Sequence, residues 1–531
     1  MNGLAGTGRL ARLALRRERA IAPWWFLLLV CLALVMVAYV NRNMGTPELK
    51  AAYTQVISRN AFFQGLGGGT VEPDLGVLSR WRSGGFLYVL NGLAALMCVV
   101  RHTRAEEDTG RAELLRAGGV GRHAALAAAL LVAGGTSLVG GALTALALVA
   151  NGLEPVGSAA YGAAITAAGW VFAGVAAVAA QLAGNAHTAR VIGLSVLGAS
   201  YLLRYAGDAS GQLWMKYLSP IGWSHLVEAY RDDRWWVLAA PISVAVALAA
   251  LAHGLVGRRD LGAGLLPARP GPAGAPHLRG PVSLSWRLHR GLLAKWVAGI
   301  AVFAAAAGGL STLGHQILNT PGASAARLVE GFGGRAGAPV DSMLWPLILI
   351  FGHLVALYPV LMVRRLRVEE TSGRAEVVQA TPTTRVRWAF GHLVVTSLGT
   401  AALLTVTGLV FGGSFAVLVG APSDVPRILA GTLGTLPAAW LVGAVCVFAY
   451  GLLPRAAVAI SWAVWVASAV LGRIGGPLYG LWGGTPLEPF HHVPNTVGGA
   501  AFTATPALVM LALSTLLVGG GLLALRRRDF G

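Results

Sequence analysis

The chain has 531 residues, 55% of them hydrophobic and 12% charged, about half the charged share of an ordinary soluble domain. Its formal net charge of +19 sits in short clusters beside long apolar runs. There is no dense basic tract and no interleaving of basic with aromatic residues, so a nucleic-acid partner is excluded. With 72 glycines among those runs, the composition is that of helices packed closely inside a bilayer.

The N-terminal stretch carries five arginines before residue 20. Arg9, Arg12, Arg16 and Arg19 recur at three- and four-residue spacing, which predicts a short basic helix lying on the membrane surface. A plain topogenic charge cluster is the competing reading. The apolar run 21–40 follows. It is too long for a signal-peptide core, and no Ala-x-Ala site succeeds it, so it reads as a retained first span. Taking roughly 20 apolar residues per crossing, further spans fall at 84–100, 124–150, 158–183, 191–207 and 237–256. A second set falls at 292–310, 343–363, 388–412, 428–450, 456–474 and 503–525. The expected fold is an all-α polytopic membrane protein, with twelve transmembrane helices as two parallel six-helix repeats. The first unit is 1–262 and the second 284–531, joined by a Pro/Gly-rich cytoplasmic linker at 263–283. Cys31, Cys98 and Cys446 lie in apolar runs without a CxxC neighbour. They read as small buried hydrophobes rather than metal ligands or disulfide partners.

The duplication is plainest in two charged islands. RHTRAEEDTGRAELLRAGGVGR at 101–122 and RRLRVEETSGRAEVVQATPTTR at 364–385 agree at ten of 22 positions at an offset of 263. A second anchor, Arg258-Arg259-Asp260, recurs at an offset of 269 as Arg527-Arg528-Asp529, and Arg204 meets Arg473 at that same offset. With both termini inside, 27 arginines and lysines fall on the cytoplasmic side and 13 outside, which predicts cytoplasmic islands.

Each island combines acids, a base and a small apolar patch. The first offers Glu106, Glu107, Gly110, Arg111, Glu113, Leu114 and Leu115. The second offers Glu369, Glu370, Gly373, Arg374, Glu376, Val377 and Val378. Glu107 and Arg111, like Glu370 and Arg374, stand four apart in the order that favours a helical ion pair. A solvated loop would use the positive charge to set topology, but it has little use for matched glutamates. A docking face for a soluble partner accounts for both signs of charge.

The island RxEEDxGRxELLRA, its degenerate copy and the closing Arg-Arg-Asp of each half resemble the ABC-2 type exporter permeases of the actinobacterial polyketide-antibiotic exporter family. That resemblance spans the chain. It implies a transport subunit served by two copies of a nucleotide-binding ATPase subunit, which would carry the ATP and Mg. It further implies that each island supplies a coupling helix, and that outer segments 208–235 and 475–502 are partly embedded. Aromatics such as Trp214, Trp223, Tyr479 and Trp482 suit such half-inserted pieces. The second copy departs from the pattern with Thr371 in place of Asp108 and Pro382 in place of Gly119.

This chain lacks a phosphate-binding motor. Lys50, Lys216 and Lys295 are followed by Ala51, Tyr217 and Trp296, never by the Ser or Thr of such a loop. An ion-coupled secondary transporter of six plus six spans is the alternative. It calls for a titratable group in the membrane; the acids fall in loops and flanks, which leaves His353 and His392. A membrane enzyme would look to Asp208, Glu228, Asp232 and Asp233, which Arg231 and Arg234 neutralise. Apolar span walls with few polar groups (Asn91, Gln181, Thr396 and Thr405) favour a hydrophobic or amphipathic cargo, exported with membrane lipid around it.

Overall fold

The computed structural model describes residues 3–260, 262–266, 274–275, 277–318, 339–472 and 485–528. Two compact units divide the chain at Met1–Gly271 and Pro272–Gly531. Among the described residues every regular element is helical. Ten helices are long and apolar enough to cross a membrane.

In unit one, α1 (Thr7–Glu18) is the expected basic surface helix and α2 (Ala22–Asn43) the first span. Short helices α3 (Pro47–Ser58) and α4 (Ala61–Gly67) lead to α5 (Leu75–His102). The island forms α6 (Arg104–Asp108) and α7 (Arg111–Ala117). Then come α8 (Ala124–Ala150), α9 (Pro155–Leu182), α10 (Ala186–Ser210), α11 (Leu213–Tyr217), α12 (Pro220–Leu226) and α13 (Ala239–Val256). Helix α9 is the core of this unit, wrapped by α5, α8, α10 and α13. Small residues bring the backbones together: a Cβ on Gly141 would lie 2.3 Å from the Gly162 carbonyl oxygen. In a bilayer, where lipid is as apolar as a side chain, such close approach and buried polar bonds drive helix association. Asn91 supplies one such bond, its Nδ2 donating to the Ile165 carbonyl at 2.7 Å. Cys98 is buried, but Cys31 is exposed on α2, contrary to the expectation that all three cysteines are core residues.

Unit two comprises α14 (Pro281–Leu318), α15 (Pro339–Thr371), α16 (Arg374–Gln379), α17 (Arg385–Val419), α18 (Asp424–Gly434), α19 (Leu436–Leu452), α20 (Ala457–Leu471) and α21 (Ala504–Arg527). The basic stretch that opens this unit is continuous with its first span inside α14, whereas in unit one a turn at Arg19–Ile21 separates the two. Helix α15 runs eight residues past the predicted end of its span and carries Glu369 and Glu370 on its last turns. Helices α19 and α21 meet at Gly451, where a Cβ would lie 2.2 Å from the Gly521 carbonyl oxygen.

Both departures from six crossings per unit fall at the fifth position. Helix α10 covers the predicted 191–207, yet Arg190, Arg204 and Asp208 make it too polar to count as a crossing by composition. Helix α20 is apolar but has only 15 described residues. Polar groups on α10 are tolerated because they are buried in protein: Arg204 is fully buried, its Nη1 donating to the Gly65 carbonyl at 2.6 Å.

Candidate functional site

The site is the island end of each unit. Thr103 leaves helical geometry at φ −121° and ψ −86°, so the chain kinks between α5 and α6. Gly110 and Gly373 both take φ +72°, a left-handed conformation that a side chain disfavours, and each begins a separate short helix. That break redirects the predicted ion pairs. Arg111 reaches Glu106 at 3.7 Å, not Glu107, and Arg374 reaches Glu369 at 3.5 Å, not Glu370. The four-residue pairing assumed an unbroken helix, which the glycine forbids.

Glu107 and Glu370 instead turn inward onto the closing arginines of their own units. Arg259 grips Glu107 through two bonds of 2.5 and 2.7 Å. Arg528 grips Glu370 through two of 2.7 and 3.1 Å. The second base is the island arginine three residues earlier: Arg104 on Glu107 at 2.6 Å, Arg367 on Glu370 at 3.2 Å. At the far end of each island, Arg122 donates to the Arg259 carbonyl at 2.9 Å, and Arg385 donates to the Arg528 carbonyl. The fourth long helix contributes at one matched place: Gln181 accepts from Arg259 Nε at 2.7 Å, and the Tyr450 hydroxyl donates to Glu370 at 2.7 Å. Each unit thus has the same clasp, tying island, fourth helix and sixth helix together. Sequence reading found Glu107, Glu370 and the Arg-Arg-Asp motifs separately. Both recur between the halves, at offsets of 263 and 269, but recurrence does not say that they pair.

With those two glutamates engaged, the outward face narrows. Arg111, Glu113 and Leu114 are exposed in the first island, as are Arg374, Glu376 and Val377 in the second. Leu114 is 77% exposed and Val377 72%. Val378 is half-buried, and the side chain of Leu115 lies outside the described residues. Glu106 is held by Arg17 of α1 at 2.7 Å, so the N-terminal helix is stapled to the first island. Backbone bonds from Gly121 to Ala5 and from His123 to Gly3, both 2.9 Å, complete that staple.

Glu18 anchors the other end of α1. Its Oε1 meets Arg101 at 2.5 Å and His102 at 2.7 Å. Burial alone raises the Glu18 carboxyl, but the His102 bond and the Arg101 charge and bond outweigh it and hold the group below its ordinary value. Cys98 also lies here, the ligand atoms of Glu18, Cys98 and His102 falling within 4.8 Å of one another. The Arg101 guanidinium already occupies the carboxylate, so this is an ion-pair cluster.

The outer segments 208–235 and 475–502, expected to be partly embedded, are described in part. Helix α12 begins with Pro220, capped by Ser219 Oγ accepting from the Gly222 N–H at 3.0 Å, and His225 packs on Tyr88 of α5 with ring centroids 4.9 Å apart. In unit two the matching turn begins at Pro489, capped by Glu488 accepting from the Phe490 N–H at 2.9 Å. Glu488 is buried and meets His353 at 2.9 Å. A loop carboxylate therefore reaches well into the unit, which sequence position did not disclose. Tyr479 and Trp482 lie outside the described residues. Three of the four acids considered for catalysis are in ion pairs, Asp208 with Lys216 at 2.7 Å, Glu228 with Arg231 at 3.5 Å and Asp232 with Arg234 at 2.5 Å, while Asp233 accepts from the Tyr230 N–H at 2.9 Å.

The multidrug efflux system permease Rv1217c, C-terminal domain, is a family whose model matches residues 9–259 and 278–526, one stretch in each half. This chain belongs to that family. It is also 38% identical over 537 residues to the multidrug efflux system permease protein Rv1217c of Mycobacterium tuberculosis (strain ATCC 25618 / H37Rv), covering 99% of this chain and 96% of that protein. An efflux permease family fixes the broad class as a multi-pass membrane transport protein. Within it, the paired clasps are internal devices that brace the islands.

Proposed function

We propose that this efflux permease is the membrane subunit of an ABC-2 type exporter of the polyketide-antibiotic exporter kind, with twelve crossings arranged as six plus six. Two copies of an ATP-hydrolysing subunit dock on the two cytoplasmic islands, and hydrophobic or amphipathic compounds leave the cell. One observation carries this reading: matched positions in both islands expose a base, an acid and an apolar residue on a short helix. The residues just before and just after that helix are clamped to the fourth long helix and to the segment that closes the sixth, so a push on the island moves the bundle rather than bending a loop. Docking centres on Leu114 with Arg111 and Glu113, and on Val377 with Arg374 and Glu376. ATP and Mg belong to the partner, since no Gly-Lys-Ser/Thr loop exists here.

The buried His353–Glu488 pair favours a second reading, an ion-coupled secondary transporter, because it sets a titratable couple inside the protein. Inside-out vesicles separate the two. Uptake of a hydrophobic dye that needs both ATP and the partner, and survives collapse of the proton gradient, supports the exporter. Uptake driven by a proton gradient without ATP overturns it.

A further inference from the structure

Unit two contains a cavity of about 630 Å³ walled by α15, α17, α19 and α21. Among its lining residues are Pro359, His392, Thr396, Trp440, Gly443 and Ser514. Its volume lies within the range of drug-sized ligand sites, about 300–1,000 Å³.

The two units share the relevant local geometry but not the same space: in unit one the matched residues Ala127, Leu130, Leu131 and His253 line a smaller one of about 440 Å³. In both, a tryptophan of the fourth long helix donates its indole N–H to a carbonyl of the third: Trp170 to Gly134 at 3.0 Å, Trp440 to Ser397 at 3.3 Å. Beyond that shared bond, α8 lies along α9 in unit one, whereas α17 leaves α19 and runs along α14 and α18. At the offset that matches Gly134 with Ser397, Gly135 becomes Leu398, which lines the cavity. Across the gap, Gly443 leaves room for the Pro359 ring, a Cβ there falling 2.8 Å from Pro359 Cβ.

The chemistry of the walls defines the occupant. Among the described residues, no Asp, Glu, Lys or Arg lines the cavity. Four of its five hydroxyls spend their hydrogens on their own helices: Thr396 on the His392 carbonyl at 2.7 Å, Thr400 on Thr396 at 2.9 Å, Ser514 on Met510 at 2.7 Å and Thr515 on Leu511 at 2.9 Å. Their oxygens keep lone pairs and act as acceptors. His392 has its Nδ1 engaged by His289 Nε2 at 2.7 Å, and its Nε2 has no partner among the described residues.

We infer that this cavity, the larger of the two matched spaces, binds an uncharged, largely apolar molecule of drug size that carries a hydrogen-bond donor. The inference rests on the efflux reading for its physiological meaning, but binding itself needs neither nucleotide nor partner. N-phenyl-1-naphthylamine, a neutral fluorescent probe with one N–H, is titrated onto the full chain in phosphatidylglycerol nanodiscs, with empty nanodiscs subtracted. The variant S397F/T515F fills the space from two facing helices through residues that are exposed at its edge. Gly135→Phe, at the position in unit one that matches Leu398 and with open space around it, is the control. Wild type and the control are expected to bind saturably, with affinity at least tenfold weaker in S397F/T515F at unchanged Tm. Equal binding by all three proteins overturns the inference. So does one phospholipid per chain, seen by native mass spectrometry in wild type only and not displaced by the probe, which makes the space a lipid seat. Saturable probe binding without ATP-dependent uptake in vesicles refutes the transport reading and leaves the site standing.

Discussion

At the residue scale, charge is used for bracing rather than display. A carboxylate taken out of water costs several kcal/mol, and two nearby arginines with good geometry offset that cost. Glu107 and Glu370 meet this condition. Removing Arg259 leaves Glu107 with Arg104 alone, so Arg259→Ala is expected to cost about 3 kcal/mol, a Tm loss of roughly 6 °C for a unit of this size. Arg528→Ala is expected to act in the same direction on unit two. Differential scanning fluorimetry in detergent reads both, and a charge swap, Glu107→Arg with Arg259→Glu, recovers part of the loss if the pair acts as described. Glu18 adds a pH dependence. Its folded carboxyl titrates below the unfolded one, so the stabilisation is complete above about pH 4.3, the unfolded value, and is lost as pH falls through the folded value. Hydrogen exchange of the α1 amides should therefore rise on acidification, and Glu18→Gln should remove the pH dependence while raising exchange at neutral pH.

At the element scale, the third long helix packs differently in the two units, α8 along α9 and α17 along α14 and α18. Gly141→Leu installs in unit one the residue that stands at the matched position of unit two, Leu404. The new side chain meets the Gly162 carbonyl, and the expected cost is about 3 kcal/mol, the upper end for overpacking. A Tm that does not fall would show that α8 and α9 do not depend on this backbone contact. The islands show a related principle. Gly110 parts α6 from α7, and Gly373 parts the end of α15 from α16, so acids four residues from a base do not reach it. The helix thus separated carries the exposed apolar residue.

At the scale of the whole molecule, the duplicated islands predict a shared dependence. Leu114→Glu combined with Val377→Glu is expected to abolish copurification with the ATP-hydrolysing subunit while membrane insertion and Tm hold. Retained copurification and stimulated ATPase activity would remove the islands from the docking role. The single variants test symmetry: the cavity predicts unequal units, so either change alone should leave partial coupling, measurable as ATPase stimulation.

Amphipathic pattern and apolar run length were sufficient to read an all-helical membrane chain, its duplication and most of its spans, because these depend on residues near in sequence. The two islands and the closing arginines were visible for the same reason. Contacts between Arg259 and Glu107, between Glu488 and His353, and across the open space beside Trp440 join residues far apart in the chain. No local period encodes which face of one helix meets which face of another. Only packing in three dimensions made the island glutamates internal, brought a loop carboxylate inside and left a larger cavity in one unit than at the matched place in the other.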